Sequence, residues 1–121
     1  MGLDTYAAIG DYGEIRLAPE EAFADVPGVL VGGMFSGHGN GPSFRGKVYD
    51  RYVYKVTGES LYQECIPSKA VSAMAVKLEK AAAELNDDCL EELHVTRQEA
   101  HALAAWFRVC ADNRYVVCGW W

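Results

Sequence analysis

No stretch of the 121-residue sequence approaches the roughly 20 consecutive apolar residues that span a bilayer, so no membrane partner is expected. The opening MGLDTYAAIGDYGE lacks the basic stretch and apolar core of an export signal, which points to a cytoplasmic location. Basic residues are the scarcer charge, 11 against 17 acidic, and the net charge of −6 is the wrong sign for gripping a phosphate backbone over a broad surface. Nucleic acid is therefore a poor default partner. The four cysteines (Cys65, Cys89, Cys110, Cys118) are widely spaced and include no CxxC pair. They read as reduced, mostly buried thiols.

Half of the residues are hydrophobic and 12% aromatic, enough for a single folded domain over residues 1–121. LDTYAAI and EIRL, separated by GDYG, predict an N-terminal hairpin. APEEAFADVPG predicts a two-turn helix, with Pro19 at its start and acidic residues in its first turn. Tyr49, Tyr52, Val53 and Val56 follow helical spacing, and Gly58 stands where a cap would. A longer Ala-rich helix is expected from Ser68 to about Leu85, buried along Ala70, Met74, Leu78, Ala81 and Leu85. Thr96 with Glu99 makes a capping box for a last helix that turns Ala100, Leu103, Phe107 and Cys110 inward. The resulting expectation is an α+β fold. A small, mainly antiparallel sheet would form from the hairpin and residues 29–35, 60–65 and 114–120, with three or four helices mostly on one face.

Seven of the twelve glycines fall between Gly28 and Gly46. So many conformationally permissive positions cost chain entropy, which asks for a reason. GPSFRGK, Gly41 to Lys47, matches the G-x-x-x-x-G-K of a phosphate-cradling loop. Val48 replaces the hydroxyl that would bind Mg²⁺, however, and Pro42 removes an amide donor. A more general anion site survives, with Arg45, Gly46 and Lys47 at a helix start and Ser36, His38 and Ser43 as hydrogen-bonding groups. The bland alternative is a loop folded over its own core, with Phe35 and Phe44 plugging the interior. Ser36 and His38 also permit a hydrolase reading, but they lie outside any G-x-S-x-G elbow and have no evident acidic orienter.

Glu91-x-x-His94 has the spacing of a di-iron ligand pair but no second copy, and no zinc spacing is present. No cofactor is expected. Lys47, Arg51 and Lys55 form a basic stripe with Tyr54 on one helix, within a segment of net charge +2 in an otherwise acidic chain. Tyr62, Trp120 and Trp121 have the composition that interfaces favour, so a homo-oligomeric contact or pocket wall is expected of them.

MGLDTY, GGMFSGHGNGPSFRGKVY, TGESLYQE, FRVC and the closing GWW together resemble a small family of short prokaryotic proteins that has no assigned activity. The resemblance spans most of the chain and implies a free-standing domain, without transferring any catalytic residue. The size and character are also similar to products of mobile gene cassettes. The expectation is a binding domain rather than an enzyme, with a small anionic or polar ligand at the glycine-rich loop. A dimeric module that binds a host or mobile-element protein is the alternative.

Overall fold

The first strand, β1 (Asp4–Ile9), alternates between two environments, and its Thr5 and Ala7 are fully buried. The structure is a computed structural model and describes residues 2–10, 15–33 and 41–121. The chain leaves β1 through Gly10, whose φ of 124° would strain any side chain, and returns as β2 (Arg16–Leu17), antiparallel to β1. The hairpin thus forms as expected.

Two of the following expectations are corrected. The helix after Pro19 is one 3-10 turn, Glu20–Phe23. Val26 precedes Pro27, and a residue in that position is biased away from helical geometry, which stops propagation. Val29 to Val31 form no strand, because Val29 and Val31 are exposed and only Leu30 is buried. The sheet position expected of that segment belongs to β3 (Ser43–Arg45), which pairs antiparallel with β1 through Asp4–Arg45, Thr5–Phe44 and Tyr6–Ser43. Gly32 adds a single bridge to Phe44.

β3 runs directly into α1 (Gly46–Thr57), which buries Tyr49, Tyr52 and Val53 and ends at Gly58, φ 81°. The expected strand around Cys65 shrinks to β4 (Cys65–Ile66). α2 (Ser68–Glu84) buries Val71, Met74, Ala75, Leu78, Ala81 and Ala82, whereas Ala70 and Leu85 are only half-buried. Its contact face is broader than one line because it packs both along the last helix and against α1. A short α3 (Asp87–Glu92) follows, and His94, at φ 60°, lies beyond its end. Glu91 and His94 therefore do not share a helical face.

The last helix, α4 (Arg97–Asp112), opens with the full capping box: Glu99 N–H donates to Thr96 Oγ1, and Thr96 N–H donates to Glu99 Oε1, each at 3.0 Å. Its expected inward residues are all buried, together with Trp106. β5 (Val116–Trp120) completes an antiparallel sheet in the order β2-β1-β5-β4, in which β3 shares with β2 the same edge of β1. The fold is α+β, with the helices gathered on one side. Phe44, Ile66 and Val117 point from the sheet into a core that also holds Phe23, Tyr49, Tyr52, Trp106 and Phe107.

The cysteines depart from expectation. Cys65 and Cys118 stand directly opposite each other in the β4–β5 register, with Cα atoms 4.1 Å apart, and form a disulfide. Their separation of 53 residues hides this from any reading of spacing. Cys110 is a buried free thiol whose ionisation is pushed up by burial, and Cys89 is free and half-buried.

Candidate functional site

Both ends of the glycine-rich segment are clamped to the core. On its N-terminal side, Val31 N–H donates to Tyr49 Oη (2.9 Å), and Tyr49 O–H donates to Glu99 Oε2 (2.5 Å). Burial first, and the Glu99 carboxylate second, hold the Tyr49 phenol well above its ordinary range, so it stays a donor. Arg45 N–H donates to Val31 O (2.8 Å). A Cβ on Gly33 would come within 3.0 Å of Phe44 backbone atoms, so close packing on β3 requires glycine there. On the C-terminal side, Trp106 Nε1–H donates to Gly41 O (3.0 Å), and Ala7 N–H donates to Pro42 O (2.7 Å). Packing thus accounts for part of the glycine density. Tyr49→Phe is expected to cost about 1–2 kcal/mol, because Val31 N–H loses its acceptor and Glu99 its donor. Urea denaturation measures the loss, and faster amide exchange at Val31 would locate it; an unchanged midpoint would refute the clamp.

The strand register places side chains in rows, since directly paired residues share a face. The face away from the core carries Arg45, Asp4 and Trp120 in one row, then Ser43, Tyr6, Cys118 and Cys65 in the next. Leu17, Ala8 and Val116 make a third. The first row forms the corner of most chemical interest. Arg45, Asp4 and Trp120, with Gly2 and Trp121, line a shallow cavity of about 230 Å³. The Arg45 guanidinium lies over Gly2, where an added Cβ would sit 2.9 Å from Nη2. Among the described residues no carboxylate is within ion-pair distance of it.

The aromatic trio joins this corner. Tyr62 meets Trp121 edge to face, with ring centroids 5.7 Å apart, and Tyr62, Trp120 and Trp121 are 39%, 55% and 50% exposed. The loop that presents Tyr62 is set from α1: Asp50 Oδ1 accepts from Leu61 N–H (2.6 Å) and from Ser60 O–H (3.1 Å). Gly119 then receives the loop at backbone distance, its N–H donating to Gln63 O at 3.0 Å. A Cβ there would meet Leu61 O at 2.7 Å, so the approach depends on glycine.

Of the residues selected from sequence, the structure brings Arg45 together with Trp120, Trp121 and Tyr62. Ser43 is buried in β3, and Gly46 is buried where a Cβ would collide with Thr5 Oγ1. Lys47 is exposed, and its N–H donates to Leu3 O (3.3 Å) rather than pointing outward. Ser36 and His38 lie outside the described residues. Asp4 and Gly2 were not foreseeable as neighbours of Arg45, since only the β1 register puts them there. Among the described residues, no three His, Cys, Asp or Glu side chains converge as a metal site would require. Comparison with known proteins yields no matching family model, curated protein or solved structure, so the site rests on its own geometry.

Proposed function

We propose that the protein is a small binding domain that takes a small anionic or polar ligand at the corner formed by Arg45, Asp4, Trp120 and Trp121. The observation that carries the reading is the row Arg45–Asp4–Trp120, which sets a cation and a carboxylate beside exposed aromatic surface. A guanidinium makes paired, charge-assisted hydrogen bonds to a carboxylate or phosphate, while indole faces cover the apolar part of such a ligand. The small volume suits a compact group rather than a long chain. The clamped glycine-rich segment ends in β3, so the same anchoring that orders its stem aims Arg45 at the corner. No helix among the described residues is long and apolar enough to cross a membrane.

Native mass spectrometry of gently purified protein, with and without Arg45→Ala, tests the proposal. A retained small mass on the wild type, lost in the variant at unchanged melting temperature, is the expected result. A bare wild-type mass that neither inorganic phosphate nor citrate shifts or thermally stabilises would overturn it. The exposure of Tyr62, Trp120 and Trp121 supports a second reading, a homodimer through the same aromatics. The spectrum would then show twice the 13.3 kDa subunit mass, and Trp121→Ala would return it to the monomer.

A further inference from the structure

The side of the molecule formed by α1, α2 and α3 carries a second arrangement, distinct from the sheet corner. Two adjoining grooves, of about 370 and 310 Å³, meet at Lys55 and Leu85. One lies between α1 and the α3 segment, with Arg51 and Tyr54 on its rim and Leu93 in its floor. The other lies between α1 and α2, with Lys77 and Lys80 on its rim and Val56 and Ala81 in its floor. Every ion pair among the described residues uses Arg97 or Arg108. Arg51, Lys55, Lys77 and Lys80 therefore gather on one surface without a carboxylate within ion-pair distance among those residues. Tyr54 stands 58% exposed beside them.

With Glu84 and Glu92 the only carboxylates among the lining residues, these four cations leave the double groove net positive in a chain of net charge −6. We propose that the double groove docks an acidic peptide segment of a protein partner, with one or two aliphatic or aromatic side chains seated on the apolar floor. Charge complementarity selects the acidic partner, and the Leu85 and Leu93 floor selects one with apolar anchors. A nucleic acid fits less well. A phosphate backbone offers no apolar group to the Leu85 and Leu93 floor, and Tyr54 is the one aromatic platform among the lining residues. The sequence stripe Lys47, Arg51 and Lys55 showed half of this surface; α2 supplies the rest.

Panning the intact protein against a displayed random peptide library tests the inference. Enriched peptides are expected to be acidic with Leu, Phe or Trp anchors. A fluorescein-labelled consensus peptide should bind the wild type and lose about tenfold in affinity with Lys55→Glu and Lys77→Glu together. Raising ionic strength on the unmodified protein should weaken binding in the same direction, which keeps the test valid if the double variant folds poorly. Enrichment no more acidic than the input library, or affinity indifferent to both charge reversal and salt, would overturn the proposal. So would a single-stranded RNA oligonucleotide of matching charge that binds more tightly than the peptide.

Discussion

Trp106→Ala is expected to lower the unfolding free energy by about 3–5 kcal/mol, the range for deleting a large buried aromatic. Trp106 is 1% exposed and sits among three other rings, with centroids 4.8 Å from Phe44, 5.1 Å from Phe107 and 5.5 Å from Phe23. Truncation opens a cavity at the point where the 3-10 turn, β3 and α4 meet. It also removes the indole donor to Gly41 O, leaving that carbonyl short of its buried partner. Urea unfolding of the variant measures the loss. Trp106→Phe separates the two causes: it keeps most of the packing and loses the donor, and should fall between wild type and Ala. A loss of less than about 1 kcal/mol for Ala would mean that the aromatic cluster is not the keystone of the core.

Opening the Cys65–Cys118 bridge is the second large effect. A cross-link spanning 53 residues restricts the unfolded chain, and removing such a link typically costs about 2–4 kcal/mol. Cys65→Ala with Cys118→Ala should shift the urea midpoint down by that amount. Adding reductant should shift the wild type equally and leave the double variant unmoved. Denatured without reductant, the protein should alkylate at Cys89 and Cys110 alone. Alkylation of all four thiols would show that the pair is reduced in the isolated protein, and the midpoint difference should then vanish.

Much of the helical framework was readable from residue order, because each signal is local. Tyr49, Tyr52 and Val53 lie within two turns, and Thr96 and Glu99 are three residues apart. Their geometry depends on nothing distant. The α+β class followed from the same patterning. Trp106 escaped the reading of α4 because that helix is buried on more than one side, which blurs the single apolar face that periodicity detects. β3 escaped because three residues are too few to alternate, and the strand expected over 60–65 forms only at Cys65–Ile66; the pairing of both comes from β1 and β5, far away in the chain. The disulfide escaped for the same reason. Arg45 was chosen for its charge and the two tryptophans for their composition, as separate features. That they share a corner with Asp4 is a property of register, which residue order does not display. Ser36 and His38, chosen for chemistry, lie outside the described residues, and what they do is not part of this geometry.

The neighbour of β1 in the sheet is the final strand, with Asp4 beside Trp120 and Ala8 beside Val116. The innermost hydrogen-bonded ladder therefore joins segments separated by nearly all of the intervening chain. Closing so large a loop is entropically slow, whereas α2 and α4 can associate through contacts much nearer in sequence. Assembly should thus begin as a helical hairpin beside a β1 whose β5 edge is unpaired, and the central ladder should zip only after β5 has been synthesised. Until then the edge of β1 is open to a strand from another molecule. Amides of β1 and β5 should exchange with solvent only through global unfolding, while those of β4, at the rim, report the opening of a single edge.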